Sequence, residues 1–176
     1  MGKSLHKLIK FLLKNHQMIA TAESVTGGLI AKTFTDEPGS SYWFSSGVVS
    51  YSNDAKKRVL NVNDKTIEKY TEVSEECAKG MAEGVMKLFL ADIGISTTGY
   101  AGPTGNDIGK VCFGVAIKGK NTITKTVQFD PVLSRKEIRN MAVDYAIELV
   151  YSTINPMSPE QENSNNKEHF CTCSKD

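Results

Sequence analysis

No segment of this 176-residue chain stays apolar over the roughly 20 residues that a membrane-spanning helix requires. The N-terminal stretch comes nearest, with Leu5, Leu8, Ile9, Leu12 and Leu13, but Lys7, Lys10 and Lys14 interrupt it. That argues against a signal-peptide core as well as a span. The spacing is instead that of an amphipathic helix packed on a core. Cysteine is scarce. Cys77, Cys112, Cys171 and Cys173 do not space as a disulfide framework, and a chain this long needs no such staples. They are expected to be reduced thiols in a cytoplasmic protein. Excess charge is missing too: 21 Lys and Arg against 20 Asp and Glu leave +1. Bulk electrostatics therefore supplies no nucleic-acid partner, although a local basic patch stays open. Histidine is limited to His6, His16 and His169, in the first helix, its end and the tail, none of them close to a strand-end loop. This argues against a serine–histidine triad. His169, Cys171 and Cys173 offer soft ligands without a fourth, in no common zinc spacing, so no metal is expected.

What is present suits one globular domain: 40% apolar and 23% charged residues are enough for a core and a solvated surface. Short β-rich runs at 18–22, 42–51, 92–98, 111–117 and 122–129 read as strands. Between them lie helical patterns. One carries Leu29, Ile30, Thr33 and Phe34 and stops before Pro38; a second starts at Asn53 as N-cap and runs to Leu60. A third starts at Ser74 and buries Cys77, Met81, Val85 and Leu88. The last opens at Ser134, with Ile138, Met141, Ala142, Tyr145 and Leu149 as its apolar face. Strands alternating with helices imply a layered α/β domain, and the two adjacent late strands imply a mixed sheet. Residues 156–176 are nearly devoid of apolar side chains and read as a disordered polar tail, which leaves 1–155 as the folded domain.

Ligands of such sheets sit beyond the strand ends, where loops enter helices. Three segments have that setting: 23–28, 51–56 and 98–105. Ser24 lies at a strand-to-helix turn, followed by Thr26, Gly27 and Gly28. Helix-start N–H groups there favour an anion, whether a phosphate or a reaction oxyanion. Ser24 or Thr26 acting merely as a helix cap is the competing reading. With Asn53 as N-cap, Lys56 falls in the first helical turn beside Lys57 and Arg58. The helix dipole and the like charges favour the neutral amine, which is what a general base needs. A solvated surface lysine competes with that reading. If Ser24 is a nucleophile, Lys56 is its natural base, by the serine–lysine variant of the triad logic. Arg139 in the last helix offers a bidentate contact to phosphate, with a surface arginine as the alternative.

These residues in order resemble the CinA C-terminal domain family, also known as the PncC nicotinamide-nucleotide amidases. The matching segments are Ala20-Thr21-Ala22-Glu23-Ser24 with Thr26-Gly27-Gly28, Pro38-Gly39-Ser40-Ser41 and Gly47-Val48-Val49-Ser50-Tyr51-Ser52-Asn53-Asp54-Ala55-Lys56. Val73-Ser74-Glu75 and Thr98-Gly99-Tyr100-Ala101-Gly102-Pro103 complete them. The resemblance spans about residues 5–152. It implies a three-layer α/β/α sandwich with a mixed, mostly parallel sheet. It also implies hydrolysis of the carboxamide of nicotinamide mononucleotide, a pyridine nucleotide, without metal or organic cofactor. Ser24 matches the family nucleophile and Lys56 its base, with Tyr51 assisting. Thr26, Gly27, Gly28, Ser41, Thr98, Gly102 and Arg139 fall at positions that look like substrate contacts. A homo-oligomer is expected.

Two departures stand out. Val25 replaces the usual cysteine, and residues 104–109 form a shorter loop than the family's, without its Lys-Pro-Val-Gly. The retained Ser24, Tyr51 and Lys56 favour an enzyme. The short loop favours a second reading, a nucleotide- or partner-binding relative that keeps the pocket without turnover.

Overall fold

The computed structural model describes residues 2–156; the polar tail, with His169 and the two late cysteines, lies outside them apart from Pro156. The chain runs α1 (Gly2–Asn15), β1 (Ile19–Glu23), α2 (Leu29–Thr35), a 3-10 turn (Ser40–Tyr42), β2 (Phe44–Val49), α3 (Asn53–Leu60), α4 (Asp64–Tyr70) and α5 (Glu75–Leu88). It continues through β3 (Ile93–Gly99), β4 (Lys110–Ile117) and β5 (Ile123–Gln128) to α6 (Arg135–Ile154). The strands form one sheet in the order β2-β1-β3-β4-β5. β1 is parallel to both neighbours, whereas β4 is antiparallel to both of its own. One strand thus runs against the others, giving the expected mixed, mostly parallel sheet.

Alternation along the strands builds the two outer layers. Ile19, Ile93, Ile95, Val111, Phe113 and Val115 face α1, α2 and α6 in the larger core. Ala20 and Ala22 face α3 and α5, through Leu60, Cys77, Met81 and Val85. On this second face small residues let α5 lie close to the sheet. Ser96 Oγ donates to the Ala78 carbonyl at 2.6 Å, and a methyl group at Gly94 would sit 2.1 Å from the Ala82 carbonyl oxygen. Gly94→Ala must therefore push a strand and a helix apart. A loss of about 1–3 kcal/mol is expected, as for other overpacked cores, read as a lower urea midpoint at unchanged slope.

The structure departs from the sequence pattern in four places. The run 42–51 does not begin as strand. Its start is the 3-10 turn, because Trp43 is buried edge-on against Phe34, 5.1 Å between ring centroids. α3 is capped by Ser52, whose side chain accepts the Ala55 N–H, rather than by Asn53. α4 is not announced by any apolar pattern, since it buries no residue. Leu88 and Met141 are 48% and 43% exposed. α6 packs on both α1 and the sheet, so its buried surface turns to Ile138, Ala142, Val143, Ala146, Ile147 and Val150 and leaves Met141 outside.

The connections place the site. From β1 the chain goes to β2 on one side through α2, then crosses to β3 on the other side through α3–α5. The crevice beyond the carboxyl ends of β1 and β3 is thus the topological switch point, where open α/β sheets bind ligands.

Candidate active site

β1 ends in Glu23, whose carboxylate turns back onto the start of α2. It accepts the N–H groups of Gly28, Ile30 and Ala31 at 2.9, 3.0 and 2.8 Å. The helix-start donors expected to hold an anion are therefore already satisfied by the chain itself. The next residues form a tight turn. Ser24 N–H donates to the Thr97 carbonyl at 2.9 Å, and Gly27 N–H closes on the Ser24 carbonyl at 3.1 Å. Gly27 and Gly28 adopt φ of +60° and +94°, the left-handed region that side chains resist. Thr26 Oγ1 pairs with Thr97 Oγ1 at 2.7 Å. Arg139 donates from Nε to the Val25 carbonyl at 3.0 Å and from Nη2 to the Thr26 carbonyl at 2.8 Å. Thr26, Gly27, Gly28 and Arg139, expected as substrate contacts, instead build and brace the Ser24 turn, and none lines the pocket beside it.

Lys56 reaches Ser24 from the other side. Its Nζ lies 3.1 Å from Ser24 Oγ and donates to the carbonyls of Ser50 at 3.1 Å and Tyr51 at 3.4 Å. The residue is 1% exposed, and burial lowers the amine below its ordinary pKa. The causes are not those the sequence suggests. Lys57 pairs with Asp64 and Arg58 with Asp54, so neither leaves like charge beside Lys56. Ser52 as cap also moves Lys56 one position deeper into α3, away from the positive end of the dipole. Cys77 and Glu72 oppose the shift. Burial pushes the Cys77 thiol up to about 11, so at neutral pH it is uncharged, and Glu72 is the group that raises the lysine. All three contacts have Lys56 Nζ donating to an oxygen, and loss of one proton would turn the amine's lone pair toward the Ser24 hydroxyl while the two carbonyls keep their donors.

Ser24 and Lys56 open into a cavity of about 270 Å³ lined also by Val25, Tyr51, Glu72, Thr98, Gly102, Thr104 and Arg135. Thr98 Oγ1 donates to the Glu72 carbonyl at 2.6 Å. Tyr51 is largely exposed, its hydroxyl 3.1 Å from Arg135 Nη2, and Arg135 Nη1 donates to the Gly102 carbonyl at 2.8 Å. The short loop folds back on itself, Gly109 N–H meeting the Tyr100 carbonyl at 2.7 Å, and leaves the pocket open to solvent. Ser41 is not part of the site. It sits in the 3-10 turn before β2, whose first residue pairs with the first residue of β1, so it lies at the opposite end of the sheet from Ser24. The strand length alone separates them by about 17 Å.

Sequence reasoning missed Glu72 and Arg135. Arg135 carried a signal: a cation at the first position of a helix opposes the dipole, which asks for a reason beyond helix stability. Glu72 carried none, since it precedes a capping serine as an ordinary exposed acid does. Among the described residues no three His, Cys, Asp or Glu side chains cluster to hold a metal, and no helix is long and apolar enough to cross a membrane.

The CinA C-terminal domain matches residues 2–154. A CinA-like protein of Fervidobacterium nodosum is 40% identical over 148 residues, 81% of this chain and 36% of that protein. A CinA-like protein of Endomicrobium trichonymphae is 43% identical over 145 residues, 80% of this chain and 33% of that protein. The chain thus spans about a third of the length of the curated relatives it matches. The crystal structure of the competence damage-inducible protein A (ComA) from Klebsiella pneumoniae superposes with a TM-score of 0.83 at 30% identity, covering 89% of this chain and 98% of that one.

Proposed function

The chain belongs to the CinA C-terminal domain family, and from that premise we propose that it is an amidohydrolase releasing ammonia from the carboxamide of nicotinamide mononucleotide. The observation that carries this reading is the buried Lys56 Nζ, 3.1 Å from Ser24 Oγ, at the floor of an open pocket at the switch point. Ser24 Oγ attacks the amide carbon as its proton passes to Lys56. The oxyanion is taken by the N–H of Val25, a residue of the pocket wall whose N–H meets no acceptor among the described residues. The lysine then returns the proton to the leaving nitrogen, ammonia departs, and an acyl ester on Ser24 remains. Water, deprotonated by the same lysine, hydrolyses the ester to the carboxylate and restores the serine.

The test is ammonia release from nicotinamide, its riboside and its mononucleotide. The mononucleotide is expected to be hydrolysed with the highest kcat/KM. The short 104–109 loop supports a second reading, a nucleotide-binding relative without turnover. Tight binding of the mononucleotide with no ammonia formed would decide for that one.

A further inference from the structure

Two charged side chains in the wall of the Ser24 pocket take no part in the proton transfers just described, and they have opposite signs. Arg135 stands on the rim formed by Tyr51 and Gly102, and Glu72 stands against Thr98 and Tyr100. They do not meet: neither forms an ion pair with the other or with any charged side chain among the described residues. An arginine and a glutamate that share one small cavity without pairing are set to face a ligand carrying both charges, at separate places.

We propose that the pocket reads a dipolar substrate, Glu72 facing its cationic part and Arg135 its anionic part. This rests on the amidase reading and names the side chains that read the two charges of its substrate. Each side chain is held for the task. Tyr100 Oη donates to Glu72 Oε1 at 3.0 Å, and Oε2, on a residue that lines the pocket, has no hydrogen-bond partner among the described residues. The Glu72 main chain is tied to the end of β3 through Thr98. Arg135 uses one Nη1 and one Nη2 hydrogen on Gly102 and Tyr51 and keeps the rest of its fork. Arg139 keeps as many free N–H groups, but its Nε and Nη2 edge is turned to the Val25 and Thr26 carbonyls and it does not line the pocket. A nicotinamide alkylated at its ring nitrogen carries a permanent positive charge on the ring, and its phosphate carries the negative one. Chemical reduction of the ring removes the first charge; removal of the phosphate removes the second.

The two side chains should therefore control two different preferences. Dissociation constants for the mononucleotide, its ring-reduced form and the riboside would be measured by titration calorimetry on wild type, Glu72→Gln, Arg135→Met and Arg139→Ala. Each variant is first checked for a native melting curve. Wild type is expected to favour the mononucleotide over either analogue by about tenfold or more, the scale of one charge-assisted hydrogen bond. Arg135→Met should abolish the preference over the riboside and keep that over the reduced form. Glu72→Gln should do the reverse, and Arg139→Ala should leave both ratios alone. Where Glu72→Gln does not fold, added salt serves instead, lowering both preferences in wild type by screening. Ratios that ignore these changes, or that fall together in either variant, would overturn the proposal. Ammonia release on the same samples separates the two ideas. Binding with both preferences but no ammonia removes the amidase and leaves the dipolar pocket, whereas turnover with indifferent ratios removes the dipolar pocket alone.

Discussion

Ser24→Ala is expected to lower ammonia release by about 10⁵-fold, the scale at which loss of a covalent nucleophile registers, while the protein folds and binds as before. The turn does not depend on the hydroxyl. Ser24 is placed through its backbone, by its N–H to Thr97 and its carbonyl to Gly27, and Arg139 braces the following carbonyls. Lys56 keeps both carbonyl acceptors when the hydroxyl is gone. The variant should therefore melt within a few degrees of wild type, and the dissociation constant of the mononucleotide should change less than tenfold. A second signature comes with it. Wild type quenched in acid during turnover should carry the acyl adduct on the peptide holding Ser24, and the alanine variant should carry none. Near wild-type turnover without the hydroxyl would mean that water attacks the amide directly, with Lys56 as its base.

How much of this was legible in the sequence depends on what each residue answers to. The strands and the capped helices follow local rules. Ser74 accepts the Cys77 N–H, and Ser134 forms a full capping box with Glu137, so serines before apolar periodicity announce helix starts correctly. Layers follow as well, because alternation in β1, β3 and β4 sorts the side chains onto two faces. The turn around Ser24 is different. Its polar residues are all consistent with ligand binding when read along the chain, and the fold spends most of them on itself. Glu23 reaches three N–H groups up to eight residues away, and Arg139 reaches back across more than a hundred residues. No local pattern distinguishes a donor aimed at substrate from one aimed at a distant carbonyl. Ser41 shows the same limit in reverse: it plainly precedes β2, but only the parallel pairing of β2 with β1 puts that end of the strand at the opposite end of the sheet from Ser24. Lys56 was found for a reason that the structure replaces: its proton affinity falls through burial, which depends on α5 closing over it and not on its helix position.

Lys56→Met follows from that burial and should show two effects that move independently. Activity should fall by about 10²–10⁴-fold, the usual worth of a general base, because methionine fills the space without taking a proton. The pH profile should change shape too. In wild type the reactive form is the neutral amine, so kcat/KM should rise with pH until Lys56 is deprotonated, at a pKa below the ordinary lysine value of 10.5. The residual activity of the methionine variant should lack that limb. Stability follows the same group with a definite sign. The folded-state pKa is lowered, so below it both folded and unfolded chains hold the proton, and the folded one bears the cost of a buried ammonium. As pH rises from the folded pKa toward 10.5 the unfolded chain holds more protons than the folded one, and wild-type stability gains. The methionine variant has no such group. Its stability relative to wild type should therefore be highest at neutral pH and decline across that window, whatever the offset from leaving the Ser50 and Tyr51 carbonyls without their donor. Urea unfolding of both proteins at several pH values reads the difference directly. Parallel curves would mean that Lys56 titrates alike in the folded and unfolded chains, and the base assignment would lose its physical ground.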